Sequence, residues 1–174
     1  MPTHTKAITS VRSITLGAMF IVIALVFSYI ENLIPLPIPI PGIKLGFANI
    51  AVIVALYRLG AKFAVVVNIA RIILAGLLFS GISAMLYALA GGILSVMVMI
   101  ILEKSNKFTT FGVSVGGASA HIIGQILLAA CVIQNSSILL MLPVLLISAV
   151  VSGIIIGFIS RLLIHNLNNV PSDN

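Results

Sequence analysis

Apolar residues gather along the chain in six blocks, 13–30, 45–57, 63–79, 82–102, 108–133 and 138–163, separated by short polar breaks. A helix crossing a bilayer needs about 20 largely apolar residues, so each block is expected to form one span. Six spans with short connections use nearly the whole chain and leave no room for a separate soluble catalytic domain. The second block is short for the task. Lys44 and Arg58 bracket it, and basic side chains that snorkel toward the interfaces can extend a short span. The expected fold is therefore all-α and membrane-integral: one domain over residues 1–174, built as a bundle of six transmembrane helices. A segment 1–12 precedes the bundle, and a tail 164–174, polar and frayed from Asn166, follows it. Basic residues before the first block imitate a secretory signal, but the block is longer than a usual signal core and lacks an Ala-x-Ala cleavage site, so it reads as a retained span.

Composition points the same way. Of 174 residues, 61% are hydrophobic and only 7% charged, and the mean hydropathy of +1.31 is more than a water-soluble domain of this size carries. The net charge of +6 would suggest nucleic acid in a soluble protein. Here the Lys and Arg residues are scattered singly between apolar runs, which fits membrane topology and not phosphate-backbone binding. With the amino terminus in the cytoplasm, Lys6, Arg12, Arg58, Lys62, Lys104, Lys107 and Arg161 fall on cytoplasmic segments, and only Lys44 falls in an external loop. That bias places both termini on the cytoplasmic side of the cell membrane. A lone cysteine, Cys131, can form neither an intrachain disulfide nor a Cys-based metal cluster.

Two further patterns bear on architecture. The first external loop, 31–42, carries proline at 35, 37, 39 and 41 and is expected to be extended and stiff, either as a connector or as a lid over a pocket. Small residues recur every fourth position: Ala84, Ala88 and Gly92 in the fourth block, Gly112, Gly116, Ala120 and Gly124 in the fifth, Ala149, Gly153 and Gly157 in the sixth. Such stripes let helix backbones approach closely, and most are expected to pack the protein's own bundle, with one or more able to meet a partner subunit.

Polar groups inside a membrane are costly and each asks for a reason. Arg71 lies nine residues past Lys62, roughly 13 Å along a helix at about 1.5 Å per residue, too deep to snorkel easily. Asn68 shares its face; His121 and Gln125 on the fifth block reach a similar depth. Glu31, Lys44, Asn49 and Tyr87 can approach the same level from other helices. These eight residues are the candidate substrate-binding set. The functional reading is a pocket in which Arg71, helped by Lys44, receives an anionic or polar group, while apolar walls accept a hydrophobic or ring-containing remainder. The structural reading is mutual satisfaction, with Arg71 paired to Glu31 and Asn68, His121 and Gln125 tying helices together.

Several chemistries are absent from the sequence. There is no Gly-x-x-x-x-Gly-Lys-Ser/Thr phosphate loop. The only carboxylates are Glu31, Glu103 and Asp173, too few and too dispersed to hold magnesium against a diphosphate. His4, His121 and His165 fall at different depths and make no metal site. No catalytic residue, cofactor or metal is assigned, and catalysis by this chain alone is not expected.

The run from Glu31-Asn-Leu-Ile-Pro-Leu-Pro to Pro41-Gly-Ile-Lys-Leu-Gly-Phe-Ala-Asn-Ile50, with Asn68-Ile-Ala-Arg71, Ala90-Gly-Gly92 and Ala120-His-Ile-Ile-Gly-Gln125, resembles the bacterial family labelled heptaprenyl diphosphate synthase component I, also called the Gx transporter family. That family is similar in architecture to the substrate-binding S-components of energy-coupling-factor transporters. The resemblance implies six helices, a substrate site near the external face capped by the first loop, and a membrane scaffold subunit with two ATPases as partners. S-components often meet the scaffold through small residues on the first helix; here Gly17, Ala18, Ala24 and Ser28 match that pattern imperfectly. The expected function is uptake of a small vitamin-like or aromatic, anionic solute, energised by other chains. The alternative is a non-catalytic accessory membrane protein of prenyl diphosphate or quinone metabolism, or of flavin and quinone electron transfer. A prenyl transferase would carry Asp-rich motifs, and the single Asp of this chain lies in its tail.

Overall fold

The computed structural model describes residues 11–33 and 46–168. Lys44, the prolines at 35–41 and both chain ends lie outside the described residues. Within them the fold is all-helical: α1 (Val11–Leu33), α2 (Ala48–Leu59), α3 (Ala61–Ala75), α4 (Gly81–Lys104), α5 (Thr110–Ile133) and α6 (Leu142–Asn168). A five-residue π-helical turn, Gly76–Ser80, joins α3 to α4, and a 3-10 segment, Ser136–Met141, precedes α6. Glu31, expected to open the first loop, lies in the last turn of α1.

Neighbouring helices alternate in direction, as short connections require. Asn68 of α3 bonds Gly92 of α4, and Gly76 meets Met85 at the turn between them. Gly91 and Met99 of α4 face His121 and Gly117 of α5, while Val115 and Phe111 of α5 face Gly153 and Gly157 of α6. One end of the bundle consequently gathers Arg58, Lys62, Lys104, Lys107 and Arg161; the other carries Glu31 and the π turn. Gly60 and Gly81 make the two tightest reversals, with φ of +91° and +83°, a region that side chains other than glycine rarely tolerate.

Four helical stretches among the described residues are long and apolar enough to cross a membrane: Ser13–Leu33, Ala61–Lys104, Thr110–Ile133 and Ser137–Leu167. The outer surface is studded with large apolar side chains, Val22, Val26, Leu77, Ile82, Met97, Ile147 and Ile154 among them. A chain with that surface belongs in lipid. The Ala61–Lys104 stretch, at 44 residues, is folded back on itself at Gly81 into the α3–α4 hairpin.

Helix α2 is apolar on nearly every side, and Ala48 through Leu56, Asn49 included, are all buried, the signature of a helix enclosed by its neighbours. Ile53, Leu56, Val67, Met99, Val113 and Ile156 form the cluster around it. Its 12 residues make about 18 Å of helix, well short of the roughly 30 Å hydrocarbon thickness. The expectation that basic flanks stretch this block across the bilayer rests half on Lys44, which lies outside the described residues. Protein covers α2 on every side, so its length need not match lipid, and its amino-terminal residues Ala48, Asn49 and Ile50 are buried within the bundle. Arg58 does lie exposed at the basic end, where its guanidinium donates to the Leu167 carbonyl at 3.1 Å. That bond satisfies one of the carbonyls every helix leaves open at its carboxyl end, and it explains a correction: α6 continues to Asn168 through residues expected to fray.

The small-residue stripes pack the bundle itself. A Cβ added at Gly124 would stand 2.7 Å from the Ala90 carbonyl oxygen, and one at Gly153 would stand 2.8 Å from the Val115 Cα. Lipid tails are as apolar as leucine, so close van der Waals contact of this kind, and not water exclusion, holds such helices together. On α1, Gly17, Ala24 and Ser28 also turn inward, Gly17 against Phe63, and only Ala18 is exposed. That stripe therefore offers no continuous small-residue face to a partner.

Gly124→Ala is expected to lower the stability of the detergent-solubilised protein by about 1–3 kcal/mol, because backbone on α4 must shift to admit the methyl. Gly112→Ala, which meets only the side chain of Phe108, is expected to be neutral or mildly stabilising. Equal thermal midpoints for the two variants would contradict the α4–α5 crossing described above.

Candidate functional site

Arg71 is 7% exposed and faces the bundle interior, not lipid. A charge there is expensive unless hydrogen bonds replace its water. Two primary amides supply them: Arg71 Nη2 donates to Asn49 Oδ1 at 3.0 Å and to Asn68 Oδ1 at 2.9 Å. Asn68, one helical turn before Arg71, is itself held by donating Nδ2 to the Gly92 carbonyl at 2.9 Å. Gly92 permits that approach, since a Cβ there would stand 3.0 Å from the Asn68 amide nitrogen. The chain from Gly92 through Asn68 and Arg71 to Asn49 ties α4, α3 and α2 together with neutral acceptors. The Nε of Arg71 is buried with no hydrogen-bond partner.

Glu31 plays a different part from the expected ion-pair partner. Its Oε1 accepts from the Phe47 backbone N–H at 2.7 Å, beside the start of α2. A carboxylate there offsets the partial positive charge of a helix amino terminus. Glu31 is also close enough for its charge to attract Arg71, yet the hydrogen bonds of Arg71 named above run to amides.

These groups border a cavity of about 40 Å³. Ser28 and Glu31 of α1, Gly46 and Asn49 at the α2 start, Arg71, Ile72 and Ala75 of α3, Gly76 and Ser80 of the π turn, Ala84, Met85 and Ala88 of α4, and His121 of α5 line it. The Nδ1 of His121 is buried without a hydrogen-bond partner. Arg71 and His121, from different helices, thus line one small space, and each carries a buried nitrogen without a hydrogen-bond partner. At roughly 10–15 Å³ per water, the space admits about three waters; ligand pockets usually offer about 300–1,000 Å³. At this size it accommodates a single polar group, not a whole vitamin-sized molecule.

Of the eight candidate residues, the structure brings Glu31, Asn49, Arg71 and His121 to the cavity wall, with Asn68 directly behind Arg71. Gln125 is fully buried and packs its stem against Gly91; it is not on the wall. Tyr87 does not line this cavity: it joins Ile122, Ile126, Leu145 and Ala149 in a second apolar cluster built largely on α5. Lys44 lies outside the described residues. Ser28, Ser80 and Met85 were not anticipated. Ser28 was legible, since it lies one turn from Glu31 on the same face; Ser80 and Met85 depend on the π turn, which periodicity does not announce. The wall offers donors and one carboxylate but no paired acids. Among the described residues, no group of three or more His, Cys, Asp or Glu comes together.

Asn68→Leu removes an acceptor from Arg71 and the donor to Gly92, and is expected to cost about 1–3 kcal/mol through the polar groups left unpaired. Ser80→Ala, at a half-buried position on the same wall, is expected to cost less than about 0.5 kcal/mol. Thermal unfolding in detergent measures both; an unchanged midpoint for Asn68→Leu would show that the amides do not hold the guanidinium.

No curated protein and no solved structure matches the chain. Residues 20–163 match the family described as heptaprenyl diphosphate synthase component I. That match covers most of the chain, from the middle of α1 to near the end of α6, and includes every cavity residue named above; the protein belongs to this family.

Proposed function

We propose that the chain is a membrane-embedded substrate-binding subunit, which receives a small solute through an anionic or polar group at Arg71 and depends on other chains for energy. The single observation that carries this reading is the buried guanidinium beside a cavity near the end of the bundle that carries Glu31 and the π turn, held by amides and with Nε still unpartnered. A purely structural arginine has no need of adjoining space. The resemblance of the sequence motifs to a family similar in architecture to the S-components of energy-coupling-factor transporters is in keeping with the same role. The scarcity of carboxylates supports a non-catalytic one.

In this reading six helices cross the membrane, with α2 as a short, protein-enclosed crossing and both termini in the cytoplasm. The five basic residues at one end of the bundle support that orientation. The amino terminus of α2 then points from within the membrane toward the cavity, as half-helices do in transporters whose ligands are anionic. His121 supplies a second contact, and Glu31 accepts a donor from the ligand or balances the charge of the empty site. Because the cavity holds only a polar group, the rest of the solute requires movement of the surrounding wall, of which the adaptable Met85 side chain is a part.

Mass spectrometry of small molecules retained by the detergent-purified protein tests the reading. One compound with an anionic or polar group is expected. Arg71→Ala is expected to weaken its binding about 10- to 150-fold, equivalent to the roughly 1.5–3 kcal/mol of a charged hydrogen bond. An empty wild-type protein, or retention indifferent to Arg71, would overturn it.

A second reading, favoured by the family description, makes the chain an accessory of prenyl diphosphate or quinone metabolism. Co-purification with a soluble synthase or a redox subunit in place of ATPases distinguishes it. Orientation is checked with single cysteines in a Cys131→Ser background. Ser137→Cys is expected to react with an impermeant maleimide in intact cells and Lys107→Cys only after permeabilisation; the opposite result inverts the topology.

A further inference from the structure

A second site lies at the basic end of the bundle, away from the Arg71 cavity. Phe111 of α5 and Phe158, Arg161, Leu162 and His165 of α6 enclose a groove of about 330 Å³. Phe111 belongs to the first turn of α5, and Arg161 lies about 10 Å before the end of α6, so the groove is at the level where the helices leave the hydrocarbon. Its floor is aromatic, with the Phe111 and Phe158 rings 6.5 Å apart. The Arg161 guanidinium is held over the Phe111 ring, 5.6 Å from its centroid. Among the described residues nothing accepts a hydrogen bond from Arg161, although a guanidinium carries five N–H donors in one plane. An exposed cation so positioned presents its edge to whatever occupies the groove.

We propose that this groove binds one anionic phospholipid, with the phosphate at Arg161 and the acyl chains against Phe158 and Leu162. Three observations select a lipid over a free anion. The groove continues into the apolar outer face of α6, where Val151, Ile154, Phe158 and Leu162 are all exposed, and acyl chains can follow that ridge. Its walls are chiefly apolar, which gives inorganic phosphate nothing to gain beyond one cation. Lys104 and Lys107 stand exposed on the connection into α5 and raise the positive potential around the mouth, whereas Glu103 is the one carboxylate among the described residues at this end. Juxtamembrane basic groups facing an apolar cleft between helices are the arrangement that draws acidic headgroups from the surrounding leaflet. The site is independent of the solute and of Arg71. It would anchor the α5–α6 pair, and through Arg58 and the Leu167 carbonyl the end of α2, to a specific lipid.

Native mass spectrometry of the full chain, released from detergent containing equal phosphatidylglycerol and phosphatidylcholine, provides the test. One phosphatidylglycerol is expected to be retained about five- to tenfold more tightly than phosphatidylcholine. Arg161→Gln should abolish the preference, and Arg161→Lys should restore part of it. Leu162→Trp keeps the charge but fills the groove and should also lose the lipid; both positions are exposed, and a wild-type thermal midpoint verifies that the variants are folded. Equal retention of the two lipids by the wild type overturns the proposal. So does a preference that survives Arg161→Gln or Leu162→Trp, or displacement of the bound lipid by inorganic phosphate, which would reveal an anion site without lipid character.

Discussion

The polar groups that meet where α2, α3 and α4 come together are organised by one buried guanidinium. In a medium that cannot solvate it, Arg71 has to be held by protein, and the groups that hold it are the amides of Asn49 and Asn68, not a carboxylate directly bonded to it. The distinction matters physically. A bidentate carboxylate would use two donors and cancel the charge on the spot, whereas amide oxygens satisfy the donors they meet and leave the charge in place. The nearest carboxylate, Glu31, is held at the amino terminus of α2 by the Phe47 N–H. The outcome is a buried cation whose donors are met by neutral groups and whose Nε is left without a partner.

The same constraint accounts for the unusual second helix. To bring Asn49 to Arg71, α2 must begin inside the bundle, and a helix that begins there can be short. Its all-round burial follows, and with it the wrapping of α1, α3 and α6 around a rod that is apolar apart from Asn49 near its start and Arg58 near its end. Close approach of α4 to α5 at Gly91 and Gly124, and of α5 to α6 at Gly153 and Gly157, draws the remaining helices in and brings His121 to the cavity wall. Glycines at these crossings and amides at the arginine are two halves of one design, since neither close backbones nor a buried cation survive without the other's geometry.

The two ends of the molecule carry different chemistry. Around Arg71 the space is small and is met by polar groups from α1, α2, α3 and α5. At the basic end the groove beside Arg161 is wider and opens along an apolar helix face, suited to a molecule that is mostly hydrocarbon. Both use an arginine that is fixed by neighbours and left with donors to spare, one by neutral amides and the other by an aromatic ring.

What the sequence determined by itself is what lipid demands of any chain. Long apolar blocks, singly placed basic residues and four-residue spacing of small side chains follow directly from the cost of exposing polar groups to hydrocarbon, so the all-helical membrane character, the gathering of basic residues and the inward packing of the stripes were legible without coordinates. The depth of Arg71, Asn68 and His121 was legible too, because a helix converts residue number into distance. Tertiary structure alone decided which faces meet. It turned Tyr87 away from the cavity, gave Glu31 to a backbone amide, placed Met85 and Ser80 on the wall through a π turn, and set the start of α2 within the bundle. Depth along a helix is written in one dimension, but rotation about its axis is settled by packing against neighbours that lie far away in the chain.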